Sequence, residues 1–151
     1  MTVRHRERGS SLPETAIVMA VVLALLFGII DFGRCLYTYS FTAQLARQGA
    51  RWMIVRGSQS CSSSTPIDNC DATNAELQTY VRSLNEGVTD PSQIAATPTF
   101  PTCAAGAANG GKNGPGCVVA VTVTYPFAFI APFVSKAAIP MSSTSQMVIS
   151  Q

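Results

Sequence analysis

Residues Leu12 to Ile30 constrain this chain more than any other stretch, because nineteen residues pass with a single formal charge, that of Glu14. As an α-helix the run is about 28 Å long, at roughly 1.5 Å per residue. That is close to the ~30 Å hydrocarbon core of a bilayer. A secretory signal peptide has a shorter apolar stretch and a small-residue cleavage site behind it. Here the run passes into Asp31-Phe32-Gly33-Arg34 and further helical pattern with no A-x-A motif, so it is expected to stay attached as one transmembrane helix. Three Arg precede Gly9, whereas Arg34 alone lies close on the other side. The positive-inside rule then sets the N-terminus in the cytoplasm and the remainder outside.

The helix is expected to run on past the membrane. Phe41, Leu45, Gln48/Gly49 and Trp52 recur at helical spacing, with Arg47 and Arg51 to one side, and no proline interrupts them. The pattern carries a helix to about Val55, where Gly57 and the serine-rich stretch behind it end it. Such a stripe fits burial against the chain's own domain or against a partner helix. The expected organisation is a basic leader over 1–9, a transmembrane helix with its stalk over 10–56, and an extracytoplasmic domain over 57–151. The net charge of +2 lies wholly in the leader, which holds three Arg and one Glu; residues 10–151 hold seven charges of each sign. A folded part without surplus basic charge argues against nucleic acid as a partner.

In the distal part, Thr73-Asn74-Ala75-Glu76 is a capping-box pattern. It opens a Leu77, Tyr80, Val81, Leu84 stripe, a short amphipathic helix ending before Gly87. The period then changes. Val119, Val121, Val123 and Tyr125 alternate with polar or small residues as a half-buried strand, and Ile139, Met141, Met147 and Ile149 do so more weakly, interrupted by small residues at 143 and 145. A third strand is expected over Ile94 to Cys103, joined to Cys117 by the glycine-rich loop 104–116. Between the last two strands, Pro126 to Val134 holds three phenylalanines, expected to close the bottom of the sheet rather than to meet a partner. The fold class is therefore α+β: a long N-terminal helix, then one helix on a three- to four-stranded antiparallel sheet.

Cys35 stands apart in the long helix, while Cys61, Cys70, Cys103 and Cys117 all lie in the distal part. Four cysteines in an exported segment read as two disulfides. Three pairings are open, and local pairing, Cys61–Cys70 with Cys103–Cys117, is preferred because each pair flanks a turn-rich loop. Zinc ranks well below, since the spacings are too long for paired CxxC ligands and no distal histidine exists. A calcium site at Asp68, Asn69 and Asp71 is a weak signal. Enzymatic chemistry is poorly provided for. The one histidine, His5, sits in the leader, so no Ser-His or Cys-His pair can form outside. The glycines between 106 and 116 have no Walker lysine-hydroxyl pair and no helix behind them. The chain is read as a non-enzyme with no catalytic residue, metal or cofactor.

Glu14 is the remaining oddity, because hydrocarbon cannot solvate a carboxylate. Ser11-Leu12-Pro13-Glu14 is itself a capping-box pattern, and an acid there meets the positive end of the helix dipole. The wider combination is a basic leader, Gly9, four residues, Glu14 and an uncharged span. Cleavage after Gly9 would free an amine on Ser10, which Glu14 of a neighbouring helix could neutralise. Gly9-x4-Glu14 before an apolar helix resembles the processing motif of type IV prepilins and pseudopilins. The longer run Arg8-Gly9…Glu14-Thr15-Ala16…Leu26-Phe27-Gly28-Ile29-Ile30-Asp31-Phe32-Gly33-Arg34…Ala46-Arg47-Gln48-Gly49-Ala50-Arg51 resembles the TadE-like family of the tight-adherence pilus system. Pro13 and Thr15 depart from the pattern of related substrates. The resemblance implies a single-pass minor pilin of the bacterial inner membrane, with its distal domain periplasmic or extracellular. It implies cutting by a prepilin peptidase after Gly9, with Ser10 supplying the new amine and Glu14 directing registration with neighbouring helices. The partners implied are that peptidase, other Tad pilins or pseudopilins, the inner-membrane pilus assembly machinery and membrane lipid. A signal-anchored binding module and a type II secretion pseudopilin are the alternatives, although the latter usually carries Phe where this chain has Ser10.

Overall fold

A single unbroken helix, α1 (Ser11–Ile54), carries the chain from the apolar run into the core of the folded part. The computed structural model describes residues 11–62, 68–85, 89–103, 113–131 and 137–150; Gly9, Ser10 and most of the 104–116 loop lie outside them. Forty-four residues make α1 about 66 Å long at roughly 1.5 Å per residue. Two short 3₁₀ turns (Ser60–Ser62 and Pro91–Gln93), helix α2 (Asn74–Ser83) and strands β1 (Ala95–Thr99), β2 (Val118–Phe127) and β3 (Ile139–Val148) complete it. The strands form one antiparallel sheet in the order β1-β2-β3. The fold is α+β, as the period change along the sequence requires.

Each element has a local cause. Thr73 caps α2 by accepting from the Glu76 N–H, and the Glu76 carboxylate returns the favour to the Thr73 N–H at 2.8 Å. Both halves of the capping box are thus present. On β2, Val119, Val121 and Val123 turn to one face and are fully buried, while Thr122 and Thr124 turn to the other and meet Thr144 and Ser142 of β3. β1 is shorter than the strand expected over 94–103. Its ladder ends at the Thr99–Ala120 pair, and beyond it the Val118 N–H goes to the Thr102 hydroxyl at 2.7 Å. Pro101 follows with no N–H to extend the pairing.

The helices cover the buried face. Leu45, Ala46, Ala50 and Met53 of α1 enter one core cluster with Leu77 and Val81 of α2, Ala96 of β1 and the β2 valines. The stripe at 41–52 is therefore spent on the chain's own domain. Gly49 marks a close approach: a Cβ there would sit 3.1 Å from Val121 Cγ1 and 3.3 Å from atoms of both Leu77 and Val81. Across the sheet, Ser143 and Ser145 pair with Val123 and Val121. Paired residues share a face, so the small positions that weaken β3's pattern lie on the side that α1 crosses. Trp52 stacks on Tyr80 with ring centroids 5.1 Å apart, and Arg56 lies over its ring at 4.5 Å, which fastens α1 to α2.

Candidate functional site

Glu14 lies in the first described turn of α1 and is exposed, with Val18, Met19 and Val22 beside it as an apolar strip. Gly9 and Ser10, the residues expected to flank the cut, fall outside the described residues. From Leu12 to Ile30 large apolar side chains point outward on every side of the helix; Leu25, for example, is 63% exposed. A helix apolar all round needs an apolar surrounding. This one is long and apolar enough to cross a membrane.

One residue past that run comes a polar clasp. Asp31 is only 3% exposed, although it sits on a helix whose neighbours Ile30 and Phe32 face outward. Its carboxylate accepts the Ile130 N–H at 3.0 and 3.1 Å and the Ala131 N–H at 2.8 Å, bonds that span about a hundred residues of sequence. Arg34, one turn along, completes the group: its Nη1 donates to Asp31 Oδ1 at 3.2 Å, and its guanidinium lies 5.4 Å from the Phe127 ring centroid. A buried carboxylate left unpaired is costly. Here two backbone donors and a cation satisfy it. The same contacts fix the segment after β2 onto α1 at the end of the apolar run. Above the clasp, Thr38 and Thr42 are buried on the same side of α1, and their hydroxyls are satisfied within the helix by the carbonyls of Arg34 and Thr38.

Sequence reasoning marked Asp31 only as the end of the run. The signal that could have found it was available: a lone acid at the end of a long apolar run, with its one nearby cation at i+3. What it could not supply was the partner, two backbone amides from a remote loop. That loop divides. Phe127 is buried and meets Phe129 edge-on at 5.3 Å, which closes the sheet as expected, whereas Ile130 is 57% exposed. Residues 132–134 lie outside the described residues.

The four distal cysteines form Cys61–Cys70 and Cys103–Cys117. The first closes the loop between α1 and α2, and the second joins the segment after β1 to the start of β2. Neither approaches Glu14, which lies in the first turn of the outward-facing run, whereas the cysteines flank the far end of α1 and the sheet. Asn69 and Asp71 adopt left-handed φ values of 57° and 53°, and the Asp71 carboxylate receives the Asn113 side-chain amide. These contacts make the acid a loop fastener. Among the described residues, no three His, Cys, Asp or Glu side chains gather as a metal site would need.

The comparisons bear on the helix. No curated protein and no solved structure matches this chain. A family model described as TadE-like protein matches residues 9–51, a stretch that runs from the glycine ahead of Glu14 to the exposed Arg51 and includes Asp31 and Arg34 but not the loop amides that they meet. The resemblance read from the sequence is thus matched by that family model over residues 9–51 of the 151-residue chain.

Proposed function

We propose that this protein is a minor pilin or pseudopilin of a tight-adherence pilus, a structural assembly component rather than an enzyme. The observation that carries the reading is the helix that the TadE-like match covers. It is apolar on all sides over Leu12–Ile30, with Glu14 as its single charge, and it is rooted by Asp31 in a folded, disulfide-bonded domain. In this reading the helix sits in the inner membrane with the basic leader in the cytoplasm and the disulfides in the oxidising space outside. A prepilin peptidase cuts after Gly9, where the absence of a side chain suits a scissile bond. The new Ser10 amine and Glu14 of adjacent chains then neutralise each other as helices pack.

N-terminal sequencing of protein recovered from bacterial membranes tests the proposal. Ser10 is expected as the first residue, and Gly9→Leu should leave the full-length precursor uncut. A native chain that still begins at Met1 in cells with normal pili overturns it.

A further inference from the structure

Beside the clasp, α1 and the edge formed by the end of β2 enclose a cleft of about 370 Å³. Gly33, Arg34 and Thr38 line it from the helix, and Gln93, Tyr125 and Phe127 line it from the domain. The depth of this cleft relative to the apolar run can be read from the helix rise. Gly33 and Arg34 lie roughly 4 to 6 Å beyond Ile30 at about 1.5 Å per residue. The headgroup layer on each side of a ~30 Å hydrocarbon core is about 5 to 7 Å thick. The Gly33–Arg34 end of the cleft therefore falls within that layer.

Two further observations agree with this level. Ile130, bound to Asp31 through its backbone, exposes its side chain at the depth where the apolar run ends. The Arg34 side chain is 45% exposed, whereas the Asp31 carboxylate it pairs with is buried beneath the loop. An anion arriving from the headgroup layer meets the guanidinium first. Arginine has five N–H donors in a planar fork that matches phosphate oxygens, and one of them goes to Asp31. The Phe127 ring holds the group in place.

The geometry points to a phospholipid site: the Arg34 cleft takes the phosphate of a membrane lipid, while Ile130 beside it enters the acyl boundary and seats the domain on the bilayer. This rests on the membrane-spanning reading of α1. Full-length protein in dodecyl maltoside micelles, titrated with dihexanoyl phosphatidylglycerol and followed by backbone amide shifts, tests it. Saturable shifts are expected at Gly33, Thr38, Gln93 and Ala128, with binding at least about tenfold weaker in Arg34→Gln. Ala128→Glu places a negative charge on the exposed lip without touching the clasp, and should weaken binding similarly should Arg34→Gln fail to fold. Absence of saturable shifts, or shifts indifferent to both variants, overturns the proposal. Inorganic phosphate that saturates the same amides as tightly as the lipid also overturns it, because the acyl-linked source is then irrelevant. Flotation with phosphatidylethanolamine/phosphatidylglycerol vesicles separates the two readings. Protein that floats but shows a silent cleft sinks the lipid site alone, and protein that stays behind sinks the spanning helix and the site together.

Discussion

The two halves of α1 share one uninterrupted backbone and differ in almost everything else. Below Asp31 the side chains are apolar and outward on all sides, mostly large, with Ala16, Ala20, Ala24 and Gly28 among them; from Phe41 onward the inner face carries Leu45, Ala46, Gly49, Ala50 and Met53, and the outer face carries Arg47 and Arg51. Charge and periodicity tell them apart: Leu12–Ile30 carries Glu14 alone, whereas Gln44, Arg47, Gln48 and Arg51 line the exposed face of the second half. An apolar surface all round can only be satisfied by lipid or like surroundings, whereas small residues on one inner face let a sheet and a second helix approach the backbone. Asp31 stands at the boundary, where a carboxylate can reach loop amides without being carried into hydrocarbon.

The sharpest way to break this comparison is to truncate one leucine in each half. Leu45 is 3% exposed, and Leu45→Ala should destabilise the folded part by about 2–5 kcal/mol. Leu25→Ala should leave its thermal unfolding in detergent unchanged, because Leu25 touches none of the core. Equal shifts in the two variants would refute the division. Gly49→Ala asks whether the approach is as close as the geometry says. With Val121 at 3.1 Å, added volume should cost about 1–3 kcal/mol by denaturant titration; a neutral or stabilising result would mean that the neighbours yield.

Asp31→Ala tests the boundary itself. Loss of the acceptor should speed hydrogen exchange at the Ile130 and Ala131 amides by at least about tenfold, with little change at Leu77 or Val81. Unaltered exchange at the two loop amides would remove the clasp from the account. The smallest effect belongs to the α2 cap, which lies far from the boundary. Thr73→Ala should cost about 1 kcal/mol. The backbone N–H of Thr73, and then its hydroxyl, hold the Glu76 carboxyl below its ordinary value of 4.5. Ser92 holds Asp90 low in the same way through its hydroxyl and its N–H. A lowered folded value means that this stabilisation is fully present above the ordinary carboxylate range and is lost as pH falls through the folded value. Acid titration of Thr73→Ala should therefore show a shallower loss of stability below about pH 4.5 than the native chain. Parallel curves would mean that the Thr73 hydroxyl adds nothing to the bond its backbone N–H already makes.

Much of the fold was legible locally. The capping box at Thr73 and Glu76, the alternation through Val119 to Val123 and the long apolar run each involve neighbours in sequence. Their physics is complete within a few residues. Boundaries were less so, since the expected strand over 94–103 stopped at Thr99 once the Thr102 hydroxyl took the next N–H. The candidate site was legible in one part only. Gly9, Ser10 and Glu14 form a linear motif, whereas the Asp31 clasp depends on amides about a hundred residues away.

By itself, then, the sequence determined a long apolar helix with one acid at its mouth, an α+β period pattern behind it and a family likeness that is strongest over that helix. Only the tertiary structure decided that the stripe from Phe41 is used within the chain, and that Gly49 and the small β3 residues permit close contact. It alone decided that Asp31 joins helix to loop beside a cleft at the end of the apolar run. The reason is physical: propensity and periodicity act over a turn or two, but burying a carboxylate requires donors that only the folded chain brings within 3 Å.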